Sequence, residues 1–153
     1  METLEPVLVR HPFLQGLPHE YIALLVGCAS QARFDTGDFL FRMGEDASSF
    51  YLVRHGQVSL EWFSPDRGPV TIETIEQGDA LGWSWLIPPY RWELDGRAQT
   101  PTLALAFDAV CLRGKLESDP KFGYEMYKRF APVIASRLQA ARLQVLDVHG
   151  VRA

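Results

Sequence analysis

The chain has 153 residues, 47% of them hydrophobic, and a formal net charge of −4. That is enough for one domain with a sizeable core. The 15 Lys and Arg residues are scattered, so no basic stripe of the kind that neutralises nucleic-acid phosphates is present. No apolar run approaches the ~20 residues of a membrane span. The N-terminus METLEPVLVRHPF lacks the basic start and apolar centre of a signal peptide, and a cytoplasmic protein with no membrane partner is expected.

In chain order, LPHEYIALLVGCA (17–29) places Tyr21, Leu24, Leu25 and Cys28 at helical spacing, with Pro18 near the start. Cys28 and Cys111 lie in apolar settings and form no CxxC pair, so buried reduced thiols are expected rather than a disulfide or metal site. From Arg33 to Arg113 come short apolar pieces, among them DFLF, SFYLVRHG, QVSLEWF, VTIETIE and TLALAFDAVCLR, punctuated by turns at Gly37, Gly44, Gly56, Gly68 and Gly78. In QVSLEWF, Val58, Leu60 and Trp62 alternate with Gln57, Ser59 and Glu61, the pattern of a half-buried strand. That rhythm predicts an antiparallel sandwich or roll.

The segment from Asp119 to Val148 reads as helical, with Asp119 as cap and Pro120 at the first helical position. Pro132 deletes an N–H donor and should kink the chain or separate two helices. Beyond it, Val133, Ile134, Leu138, Ala141, Val145 and Val148 fall near a/d spacing, which suits either a dimer seam or packing on the roll.

The run FDTGDFLFRMGEDASSFYLVRHGQVSL, continued by IEQGDALGWSWL and SRLQAARLQVLDV, resembles the cyclic-nucleotide-binding domain, the sensor module of catabolite-activator-type regulators. Gly37, Gly44 and Gly56 stand where that family has turn glycines, and Phe50 to Val53 match its central strand. The resemblance covers roughly residues 10 to 148. It implies a mainly β protein, a double-stranded β-roll or jelly roll with N-terminal helices and two C-terminal helices. Residues 1–153 would form one domain, with the roll at about 31–114 and the C-terminal helices at about 118–148. It also implies a regulator rather than an enzyme. With few residues after the long helix, a stand-alone sensor lacking a DNA-binding domain is expected.

In that family a cassette between two strands holds the cyclic phosphate and ribose. Here it would run from Leu81-Gly82 to Arg97-Ala98. The resemblance therefore makes Gly82, Trp83, Ser84, Trp85, Leu86, Arg97 and Ala98 the candidate ligand site, with Arg91 and Arg142 as further candidates. An arginine suits a phosphate because its planar fork matches the oxygens.

Three departures from the family's pattern fall in this one pocket. Trp83 occupies the place of the ribose-binding glutamate, and an indole has a donor but no acceptor. Ser84, Glu93 and Asp95 are the polar residues nearby that could compensate. Counting back from TLALAF without a gap puts Ala98 at the phosphate arginine's position, and Arg97 matches only through a one-residue bulge. Ala140 and Ala141 stand where relatives offer hydroxyls to the base. These departures weigh against a conventional cyclic AMP site, and WSWLIPPYRW adds four aromatic rings to the cassette.

His11, His19, His55 and His149 are dispersed, and no HxH, GxSxG, HExxH or P-loop pattern occurs. No metal, cofactor or catalytic group is expected. The sequence predicts a regulatory sensor that binds a cyclic nucleotide (cyclic AMP or cyclic GMP) or another small anionic ligand, signals through its C-terminal helices and forms a homodimer through them. The alternative is a ligand-free scaffold, its pocket filled by aromatic side chains, that serves an unknown protein partner.

Overall fold

The computed structural model describes residues 3–148. Helices α1 (Glu5–Arg10) and α2 (His19–Val26) flank a 3-10 turn at Pro12–Leu14. Among the described residues eight strands follow: β1 (Ala29–Phe34), β2 (Phe39–Phe41), β3 (Ser49–His55), β4 (Gln57–Ser64), β5 (Gly68–Glu76), β6 (Ala80–Leu81), β7 (Asp95–Ala98) and β8 (Thr102–Asp108). Helices α3 (Ala109–Ser118) and α4 (Pro120–Val148) end the described chain. His149 and the side chains of Ala141, Val145 and Val148 lie outside what is described.

The strands form two four-stranded antiparallel sheets, ordered β1-β8-β3-β6 and β2-β7-β4-β5. The turn spacing predicts an antiparallel sandwich or roll, and this is the double-stranded β-roll that the resemblance implies. The β3–β4 reversal shows why glycine is required: Gly56 has φ 99°, and a Cβ there would lie 2.6 Å from the Pro101 carbonyl oxygen. The buried His11 ring ties the N-terminal segment to the roll. Its Nδ1 accepts from the Phe13 N–H at 3.2 Å, and its Nε2 donates to the Val53 carbonyl at 2.9 Å. The two contacts together require the neutral ring, and burial pulls its pKa below the usual value of 6.5.

The core is built on stacked aromatics. Phe50 of β3 lies between Phe107 of β8 and Trp85, with ring centroids 4.6 and 4.7 Å apart. Phe130 of α4 meets Phe50 and Trp85 edge-on at 5.2 and 5.4 Å. Phe122 and Met126 bury on the same face of α4, so the helix is anchored to the roll by its own apolar stripe.

Three expectations are corrected. The last strand stops at Asp108, and the segment from Ala109 to Arg113 opens α3, because the Asp108 carboxylate caps the Cys111 N–H at 2.8 Å. The two C-terminal helices divide at Asp119 rather than at Pro132. Pro120 drives the residue before it out of the helical region, and Asp119 is extended (φ −129°, ψ 91°) while its side chain caps Phe122 at 3.2 Å. Pro132 lies inside α4, where the loss of one backbone bond is offset by the buried Phe130 and the half-buried Val133 beside it. The third correction concerns the cysteines, which are disulfide-bonded. Asp108 N–H donates to the Cys28 carbonyl at 2.9 Å, which sets the first turn of α3 against the start of β1 and brings the two Cα atoms to 5.9 Å across 83 residues. No local spacing signals such a pair.

Candidate functional site

The chain leaving β6 turns at Gly82 and makes a tight turn over Trp83–Ile87, with Leu86 N–H donating to the Trp83 carbonyl at 3.0 Å. It then returns through Tyr90–Trp92, pinned to the β2–β3 loop by backbone bonds from Trp92 to Glu45, Gly44 to Trp92 and Ala47 to Tyr90. This pinning presents the Trp92 ring inward, stacked on Phe41 at 3.7 Å. Gly82 has φ 94°, and any side chain there would run into the Trp92 ring.

Between this cassette and α4 lies a cavity of about 340 Å³. The roll contributes Phe41 and Leu60, the cassette Gly82, Trp83 and Ser84, and the returning segment before β7 Trp92, Glu93 and Leu94. Helix α4 closes it with Ile134, Arg137 and Leu138. The walls are chiefly apolar and aromatic, as small-molecule sites generally are.

Arg137 is nine-tenths buried. Its Nη1 donates to Glu73 Oε2 of β5 at 3.0 Å and its Nη2 to the Ala80 carbonyl at 2.8 Å. Burial pulls its pKa below the usual arginine range, and the Glu73 carboxylate opposes that shift. One side chain of α4 thus grips both sheets.

The structure gathers only part of the predicted site. Gly82, Trp83 and Ser84 line the cavity. Trp85 and Leu86 turn away into the core, where Trp85 joins the Phe50 stack. Arg97 does not reach the cavity. In β7, Gly96 pairs with Leu60 and Phe41, and Ala98 with Val58, so both sit on the inner face while Arg97 points outward. There its Nη2 meets the buried Glu61 carboxylate at 2.8 Å. Ala98 is buried beside Val58, and the inward positions of β7, Gly96 and Ala98, carry no arginine. Arg91 is exposed, donating to the Gly44 carbonyl at 3.0 Å and facing Asp46. Arg142 is exposed on α4, and Ala140 is half-buried. Of the compensating residues, Ser84 and Glu93 reach the cavity, whereas Asp95 accepts from the Met43 N–H at 2.7 Å.

Sequence reasoning missed Arg137, and a signal for it existed. It lies seven residues after Phe130 and three after Ile134, on the apolar face of α4, where a cation demands a partner.

A β-roll with a glycine-led cassette and a long helix closing over it defines the cyclic-nucleotide-binding class of regulatory domains. The family profile described as cyclic nucleotide-binding domain matches residues 31–119, and the chain belongs to that family. Its domains are regulatory rather than catalytic. Human cGMP-dependent protein kinase 2 is 28% identical over 75 residues, which are 48% of this chain but only 10% of the kinase. A protein of Geobacter metallireducens described as cyclic nucleotide-binding superposes with a TM-score of 0.78 at 25% identity, covering 90% of this chain and 99% of that one. A cyclic nucleotide-binding domain from Methylobacillus flagellatus gives 0.79 at 16% identity, covering 96% and 86%, and shows the shared fold. Among the described residues, no helix is long and apolar enough to cross a membrane, and no group of three or more His, Cys, Asp or Glu could hold a metal ion.

Proposed function

We propose that this chain is a regulatory sensor whose small ligand enters the cavity between the cassette and α4 and repositions that helix. The observation that carries the reading is the shared wall: Gly82, Trp83 and Ser84 of the cassette and Ile134, Arg137 and Leu138 of α4 line one cavity. Any occupant touches the sensor cassette and the output helix together, so its binding free energy acts directly on where α4 sits. Family membership puts cyclic AMP and cyclic GMP first among ligands to try, although the inner arginine and the cassette glutamate are both missing here.

The test is a thermal shift panel of nucleotides and small organic ligands on the wild type and on Ile134→Trp, which fills the cavity. A ligand at a hundred times its Kd should stabilise the wild type by about 2.7 kcal/mol and leave the variant unmoved. Equal shifts in both proteins would place binding elsewhere.

A second reading, a ligand-free interaction module, draws support from the Trp92 ring packed beneath Gly82 and stacked on Phe41. It predicts no response to any member of the panel.

The proposal extends to assembly and location. Leu138, 62% exposed on α4, continues the a/d spacing of Ile134 and suits a homodimer seam, which sedimentation velocity would show as a two-chain species. A cytoplasmic regulator would meet a thiol-reducing milieu, so the state of Cys28 and Cys111 in cells is a direct check on location.

A further inference from the structure

Among the described residues, Arg137 is the one Lys or Arg lining the cavity, and its bonds are unevenly satisfied. The two terminal nitrogens are engaged by Glu73 and Ala80, but Nε is buried and has no hydrogen-bond partner among the described residues. The charge is matched while a donor is not. An unmet N–H in an apolar setting is costly and is relieved by an acceptor, with no need for a second negative charge. The Glu73 carboxylate already balances this guanidinium, and the other charged lining residue is the acidic, exposed Glu93, so a phosphate or carboxylate entering the cavity meets no unpaired cation among the described residues.

The remaining walls favour a flat apolar body. Trp92 and Phe41 stack at 3.7 Å with their planes 11° apart, and Trp83 and Leu60 border the same space. A volume of about 340 Å³ lies near the lower end of ligand pockets, which run roughly 300–1,000 Å³.

We propose, resting on the sensor reading above, that the ligand is an uncharged, ring-bearing apolar molecule whose carbonyl oxygen accepts the Arg137 Nε–H. Because Nε is shielded in this structure, an acceptor reaches it only as the side chain or α4 yields. Recognition and helix movement are then the same event.

A matched trio of probes tests this: 2-acetylnaphthalene, 2-naphthoate and 2-ethylnaphthalene, titrated into the full chain and followed through the Gly82 and Ser84 amides and the Arg137 Nε–H in proton–nitrogen spectra. The ketone should bind about fivefold tighter than the hydrocarbon, the worth of one net hydrogen bond. It should bind about tenfold tighter than the carboxylate, which gives up its hydration without an unpaired cation to meet it. The Nε–H resonance should move with the ketone and stay put with the hydrocarbon. Arg137→Lys, which keeps a cation for Glu73, should erase the preference for ketone over hydrocarbon while both still bind; if that variant fails to fold, the wild-type Nε–H shift decides alone. Tighter binding by 2-naphthoate, cyclic AMP or cyclic GMP than by the ketone would overturn the uncharged-ligand inference and leave the sensor reading standing. A ketone that binds without moving the Nε–H overturns the role of Arg137. Binding by none of these compounds counts against both readings.

Discussion

Trp85 and Trp92 stand seven residues apart in one cassette, both nearly buried, yet they do opposite things. Trp85 completes a dry stack with Phe50, Phe107 and Phe130, with side chains on every side. Trp92 stacks on Phe41 with one side toward a cavity closed by α4. Each region also holds an unmet buried donor among the described residues, Trp85 Nε1 in the core and Arg137 Nε in the cavity wall. In the filled region the orphan is a fixed cost of packing. In the hollow one an occupant answers it once the Arg137 side chain or α4 yields. Aromatic content alone does not separate core from pocket; what stands on the far side of each ring does.

The largest break of this comparison is Trp85→Ala, which should cost about 3–5 kcal/mol in chemical denaturation by emptying the stack. Trp92→Phe, which keeps the stack on Phe41, should cost less, and the gap between the two is the measure of filled against hollow. Next comes the disulfide: reducing Cys28–Cys111, or replacing both by serine, should lower stability by about 2–4 kcal/mol and expose two titratable thiols in the reduced wild type. Arg97→Ala should follow at about 1–3 kcal/mol, since it strands the Glu61 carboxylate, which is 3% exposed. Affinity for any ligand of the cavity should be unchanged, because Arg97 faces the other side of the sheet.

The smallest effect is one of pH. The His11 pKa is lowered in the fold by burial, so above about 6.5 both folded and unfolded chains carry a neutral ring and its contribution is complete. As pH falls below that value, the unfolded chain takes up a proton that the folded ring resists, and stability drops until the folded pKa is passed. The slope from this one group is at most about 1.4 kcal/mol per pH unit. His11→Gln should flatten the melting temperature between pH 6.5 and 5 relative to wild type, and an unchanged profile would remove His11 as its source.

The fold was legible because turn chemistry is local: the reversals take glycines at positive φ, a backbone region that residues with a Cβ seldom adopt, and such positions can be counted along the chain. The site was legible only in part. Gly82, Trp83 and Ser84 line the cavity where the cassette was expected, but whether Arg97 looked in or out turned on one residue of register, and alternation along β7 sends it out. Arg137 was hidden for another reason. Its place on the apolar face of α4 signals that it needs a partner, but the partners themselves, Glu73 and the Ala80 carbonyl, lie more than fifty residues earlier and no local spacing points to them. The cysteine pair is the same kind of long-range fact.

The most direct measurement is hydrogen exchange across residues 80–86 and 133–140 with the cavity occupied by the tightest ligand of the panel. Protection that rises in both segments together, and that vanishes in Ile134→Trp, is the predicted result. Protection confined to the cassette, with α4 exchanging as it does in the free protein, would contradict the account, because the helix would then be a lid that does not feel what it covers.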